Sequence, residues 1–117
     1  MSETITLDGV FDALANTHRR AMIRALGRQP HSISQLADME GLTLPAIHKH
    51  VRILEEADMV IRKKVGRTNF LALRRGPLRG LQEWVGQFHP YWGDDAESLE
   101  NYARYLGSGH PDKEGPP

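Results

Sequence analysis

The sequence has no cysteine among its 117 residues, which excludes disulfides, thiolate metal sites and thiol redox sensing together. It has no apolar run approaching the roughly 20 residues that a membrane-spanning helix needs. Its hydrophobic residues, 39% of the total, fall in short clusters, as expected of one domain with one modest core. The N-terminus shows neither the basic stretch nor the apolar stretch of a signal peptide, so the expected location is cytoplasmic. Catalytic patterning is also missing. No Ser/His/Asp set, glycine-rich phosphate loop or paired ligand spacing stands out, so neither an enzyme nor a cofactor is expected.

Net charge is absent as well, since the formal value is zero, but its distribution is uneven. Residues 1–16 hold Glu3, Asp8 and Asp12 without a base. Residues 17–75 hold twelve Lys/Arg against five Asp/Glu. Arg79 balances Glu83 within 76–92, and residues 93–117 hold six acids against two bases. A basic middle between acidic ends points to a polyanionic partner, although a solvated charged face gives the same count.

Apolar spacing predicts a helix over 7–15 through Leu7, Val10, Phe11, Leu14 and Ala15. Asn16-Thr17 carries N-cap chemistry, and a second helix is expected over 18–28, with Ala21, Met22, Ala25 and Leu26 as its stripe. Ser32-x-x-Gln35 is a capping box opening a short helix, and Gly41 is its left-handed stop. Thr43 can cap the next helix, with Pro45 tolerated in the first turn, and that helix should reach about Ala57. Strands are expected over 60–65 and 69–73, joined at Gly66-Arg67. Pro77 starts a further helix that Pro90 kinks or ends, and a last helix is expected over 94–106. Two short helices separated by three residues and followed by a hairpin define a winged helix-turn-helix over 32–75. The fold class is therefore mainly α with a small β-hairpin.

At about 100° per residue, the helix after Thr43 has two unlike sides. Ile47, His50, Val51, Ile53, Leu54 and Ala57 share one side with Ala46. Pro45, His48, Lys49 and Arg52 fall on the other, while Glu55 and Glu56 come later. A basic, acid-free N-terminal half suits a helix whose first turns enter the major groove. Lys49 and Arg52 can meet phosphate or guanine, and His48 can donate or accept at a base edge. His50, three residues after Ile47 within the apolar arc, reads as a packed histidine hydrogen-bonded to nearby backbone, with base reading as the alternative role. His48 and His50 point to different sides and cannot share a metal.

Arg62, Lys63, Lys64 and Arg67 lie along the hairpin, with Arg74 and Arg75 at its base. Such a ribbon can follow the phosphate backbone, with Arg67 at a narrow minor groove; edge strands also use cations to block aggregation. The candidate DNA contacts are Thr43, Pro45, His48, Lys49, Arg52, Arg62, Lys64 and Arg67. Arg19 and Arg20 are left open between phosphate contact and pairing with acids.

These residues resemble the ArsR family of winged-helix regulators. The resemblance runs through Ala13-Leu-Ala-Asn-Thr-His-Arg-Arg20, Ser34-Gln-Leu-Ala37, Leu44 to Ala57, Val60 and the Gly66-Arg67 turn. Pro77-Leu-Arg-Gly-Leu-Gln-Glu-Trp84 and Tyr91-Trp92 look like the subgroup without cysteine metal boxes. The resemblance implies a homodimer that binds an inverted-repeat operator and represses a nearby promoter. Its first and C-terminal helices would form the interface, here through Leu7, Val10, Phe11, Leu14, Leu81, Trp84, Val85, Phe88 and Trp92. Ordinary core packing is the alternative role for these side chains. The corresponding organisation is a DNA-binding and dimerisation domain over 1–92, a C-terminal helix over 93–106 and a disordered tail over 107–117.

Two departures from the family pattern stand out. Asp58 replaces the usual glycine after the recognition helix, which should alter the C-cap, and His48 stands where serine is frequent. No cysteine box lies near 33–40, His89 and His110 are isolated, and Asp94-Asp95 lacks a spaced histidine. A metal-responsive repressor with a His/Asp site is thus the weaker reading. A winged-helix protein-interaction module is the other alternative, opposed by the basic recognition face. The sequence identifies no effector.

Overall fold

The computed structural model describes residues 6–109 of the chain. Helix α1 (Leu7–Leu14) is capped by Thr6, whose Oγ1 accepts from the Gly9 N–H at 3.0 Å. Asn16 caps α2 (Thr17–Leu26), its Oδ1 accepting from the Arg19 N–H at 3.0 Å. There follow β1 (His31–Ser32), α3 (Ile33–Glu40), α4 (Leu44–Glu56), β2 (Val60–Val65), β3 (Thr68–Leu73), α5 (Gly76–Gly86) and α6 (Ser98–Gly107). The chain divides into two compact units, one ending at Glu83 and the other beginning at Trp84.

The helix-turn-helix closes through local chemistry alone. Ser32 Oγ accepts from the Gln35 N–H at 3.0 Å and Gln35 Oε1 accepts from the Ser32 N–H at 2.9 Å, so the capping box is complete. Gly41 adopts φ +65°, which reverses the chain at the end of α3 without a Cβ penalty. The Leu42 N–H then donates to the Ala37 carbonyl at 3.0 Å. Thr43 caps α4, its Oγ1 accepting from the Ala46 N–H at 3.3 Å.

The sheet has three antiparallel strands in the order β1-β3-β2, one more than the expected two-stranded hairpin. The added strand is only His31–Ser32, too short to show any alternation, and it pairs His31 with Leu71 and Ser32 with Phe70. It makes β3 the central strand and ties the wing to the start of α3. Across the hairpin, Val60 pairs with Leu73 and Val65 with Thr68. Gly66 opens the two-residue turn at φ +64°.

The first unit is built on one core. Met22 from α2, Leu36 from α3, Ile47, Val51 and Leu54 from α4, Met59 after it and Leu71 of β3 are all 0% exposed. Val10, Ala13, Leu26, Ile33, Ala37 and Val60 complete it, and Leu14, Leu78 and Leu81 pack against it. Helix α5 begins at Gly76, with Pro77 buried, and stops at Gly86, before Pro90.

In the second unit, α6 starts later than its expected position because Asp94 Oδ1 accepts from the Glu97 N–H at 2.9 Å, holding 94–97 in a turn. Trp92 packs edge-on to Tyr102 and tilted on Tyr105, both at 5.0 Å between ring centres. Asn101 donates to the Trp92 carbonyl. The tail expected from Gly107 lies outside the described residues from 110 onward, as does His110.

Candidate nucleic-acid interface

The burial of Ile47, Val51 and Leu54 fixes how α4 is turned. Thr43, Pro45, Lys49 and Arg52 are exposed and His48 is half-buried. These positions form the side of α4 away from the core, as the helical spacing predicts. Ile53, assigned to the apolar side from its spacing, is 37% exposed and lies at the margin.

The strand period of two sorts the cations of β2. Arg62 and Lys64 share the face of buried Val60, while Ile61, Lys63 and Val65 share the other. Lys63 lines a hollow of about 490 Å³ with Pro30, Ile61, Val65 and Phe70, apart from the α4 side of the sheet. Arg62 is held by Glu55 of α4, Nε donating to one carboxylate oxygen and Nη2 to the other, each at 3.0 Å. That bond holds the guanidinium further towards its charged form while offsetting its charge with Glu55. Lys64 and Arg67 are exposed, and Arg67 sits at the hairpin turn.

His48 and Arg67 come together although 19 positions apart in sequence. Both line a cleft of about 180 Å³ with Ser34 and Leu44 on the helix side and Thr68 and Asn69 on the wing side. The start of α3, the outer side of α4 and the wing tip therefore share one surface. Arg74, at the base of the wing, lies 3.6 Å from Asp58.

Asp58 takes φ +60°. Its N–H donates to the Glu55 carbonyl at 2.9 Å and the Met59 N–H to the Leu54 carbonyl at 3.0 Å, the double closure of a Schellman end. The aspartate keeps the left-handed stop that a glycine would make, at the cost of placing a Cβ there.

Arg19 and Arg20 take a role that neither open reading gave them. Arg20 Nη1 donates to the Leu14 carbonyl at 2.8 Å. Arg19 Nε donates to the Ala13 carbonyl at 2.6 Å and its Nη2 to the Asp12 carbonyl at 3.2 Å. Both arginines reach carbonyls in the last turn of α1, where helical donors run out, and the Asp12 carbonyl also accepts from the Ala15 N–H at 3.3 Å. His50 is half-buried, but its partner is Arg19 Nη1 at 3.1 Å, not nearby backbone. Burial, followed by the charges of Arg19 and His18, pushes the His50 pKa down from its ordinary value, with Glu40 opposing. His18 Nδ1 lies 2.8 Å from Glu40 Oε1.

The residues assigned to dimerisation separate by burial. Val10 is 1% exposed and belongs to the core of its own unit, which leaves no surface for a partner. Leu14 and Leu81 pack against the same core, and Leu7 is half-buried. Phe11 is 41% exposed, Trp84 41%, Val85 55% and Phe88 65%. Trp92 is half-buried among Tyr102 and Tyr105. Among the described residues, no group of three His, Cys, Asp or Glu is placed to hold a metal ion, and no helix is long and apolar enough to cross a membrane.

This arrangement of α3, α4 and a basic hairpin defines a winged helix-turn-helix. Residues 14–62 match the helix-turn-helix domain family. The crystal structure of an ArsR family transcriptional regulator is 33% identical, with a TM-score of 0.66 over 69% of this chain and 89% of that one. An ArsR-like transcriptional regulator from Rhodococcus sp. RHA1 is 25% identical, with a TM-score of 0.64 over 91% of this chain and 94% of its own. The HTH-type transcriptional regulator Rv2034 of Mycobacterium tuberculosis is 27% identical over 92% of this chain and 95% of its own length. The chain belongs to the ArsR family of helix-turn-helix, DNA-binding transcriptional regulators.

Proposed function

We propose that the protein is a homodimeric repressor that binds an inverted-repeat operator and occludes a nearby promoter. The observation that carries this reading is the shared cleft of His48 and Arg67, which sets the recognition helix and the wing tip on one surface. His48, Lys49 and Arg52 read base edges in the major groove, with Thr43 and Pro45 at the entering end. Lys64 and Arg67 follow the phosphates beside it. Arg62 steadies the wing against α4 through Glu55 and contributes less charge to DNA than its position in sequence suggests.

Phe11, Trp84, Val85 and Phe88 supply exposed apolar surface for a second copy, which a twofold operator requires. The two recognition helices of the dimer enter successive major grooves about 34 Å apart. Selection of bound duplexes from a random pool, with the mass of the complex measured by light scattering, tests the reading. Enrichment of an inverted repeat bound by two chains is expected. Absence of binding to any duplex at low salt refutes it, and tight binding by one chain to a single half-site refutes the dimer.

A further inference from the structure

The His50–Arg19 contact links two elements that the proposed function keeps apart. Arg19 grips the end of α1 through the carbonyls of Asp12 and Ala13, and with its remaining terminal nitrogen it reaches His50 on α4. A guanidinium can only donate, so His50 Nδ1 must accept, and the imidazole must be neutral with its proton on Nε2. A protonated His50 has no lone pair to offer and would set a second cation 3.1 Å from Arg19.

We infer that Arg19 is a positioning residue for DNA reading: through neutral His50 it holds α4 against the end of α1, and protonation of His50 releases that hold and weakens DNA binding. The inference rests on the reading of α4 as the helix that enters DNA. His50 sits one residue after Lys49 and two before Arg52, so its attachment sets the rotation of the turn that carries both cations.

The other charged groups around it do not substitute for the link. On α2, His18 lies with its ring centre 5.7 Å from that of His50, and its Nδ1 is taken by Glu40 at the end of α3. Glu55 of α4 and Arg62 of β2 are engaged with each other. Asp12 of α1 and Glu56 of α4 line a separate cleft with Thr6 and Ile53. Arg19 is therefore the partner that reads the protonation of His50.

The sign follows from linkage. The folded protein holds His50 below its ordinary value of 6.5, so the contact contributes fully above about that pH and is lost as pH falls through it towards the folded value. If only the neutral form reads DNA, affinity falls by at most about tenfold for each pH unit below the His50 value. Acidification also acts on other groups of the DNA-facing surface, so wild type alone cannot isolate the effect.

The test compares wild type, His50→Asn and Arg19→Ala on one selected duplex by fluorescence anisotropy, from pH 7.5 to 5.5. Asparagine places an acceptor near the Nδ1 position and does not titrate. Wild type should lose affinity on acidification relative to His50→Asn by several-fold, approaching about tenfold at most. His50→Asn serves as the reference without a titrating ring at this position, whatever its affinity at pH 7.5, and Arg19→Ala should bind weakly throughout without the His50 step. A second measurement follows the His50 ring by NMR in wild type, where added duplex should lower its titration midpoint. Binding whose pH profile is the same in wild type and His50→Asn, together with an unmoved midpoint, overturns the inference and leaves the DNA reading intact. Failure of wild type to bind any duplex at either pH overturns both.

Discussion

Arg62 on the wing and Glu55 on the recognition helix form a two-pronged ion pair, both bonds at 3.0 Å. The pair joins the two elements proposed to touch DNA, and it forms between side chains about one-third exposed. Its worth to stability is accordingly modest, within about 1 kcal/mol. Its larger consequence is the orientation of the wing.

Arg62→Ala is expected to lower DNA affinity less than Arg67→Ala does, because its charge is already offset by Glu55. Glu55→Gln should do the reverse: the amide oxygen still accepts from Arg62 and keeps the wing docked, while loss of the carboxylate charge raises affinity for all duplexes at low salt. Binding isotherms at several salt concentrations check this. An Arg62→Ala loss equal to that of Arg67→Ala would place Arg62 directly on phosphate.

Arg67→Ala should weaken binding on every sequence and reduce the steepness of the salt dependence by about one unit. His48→Ala and Arg52→Ala should instead change which base pairs are preferred, each misread position being worth about 1–3 kcal/mol. Equal losses on all duplexes for the three variants would remove base reading from α4.

Much of this was legible from residues alone. The helices of the recognition unit announce themselves through Ser32, Gln35, Gly41 and Thr43, whose capping chemistry is local. The outer side of α4 follows from the spacing of Ile47, Val51 and Leu54. What stayed hidden was long-range. A two-residue strand has no period to detect, so β1 and the third position in the sheet were invisible. The commitments of Arg62, Arg19 and His50 depend on partners 6 to 31 residues away, and charge counting treats a paired arginine like a free one. Val10 shows the same limit on apolar residues, since a stripe gives a buried side but not whether its own core or a second copy buries it.

Phe88→Glu is expected to shift the protein from dimer to monomer in sedimentation and to weaken operator binding sharply. Phe88 is 65% exposed and touches Trp84 edge-on at 4.9 Å, so the change removes apolar surface without opening a core cavity. Loss of the second half-site should cost about 10²–10⁴ in apparent affinity through the lost effective concentration. An unchanged mass with unchanged binding would exclude Phe88 from the interface. Val10→Ala, by contrast, should lower thermal stability with no specific effect on mass, because Val10 is spent inside its own unit.

Asp58→Gly tests the end of the recognition helix. The aspartate holds φ +60° in a Schellman closure, where a Cβ costs about 1 kcal/mol relative to glycine. Glycine loses the long contact to Arg74 at 3.6 Å, an exposed pair whose median worth is about 0–1 kcal/mol. Glycine also adds freedom to the unfolded chain, which opposes the gain. The strain relief outweighs a pair of that length and exposure, so the midpoint in urea should rise slightly, by up to about 1 kcal/mol in stability with an unchanged slope. A fall in the midpoint would mean that the Asp58–Arg74 contact contributes more than its geometry indicates. Freeing Arg74 at the base of the wing should also strengthen binding to all duplexes at low salt, an effect that added salt should erase.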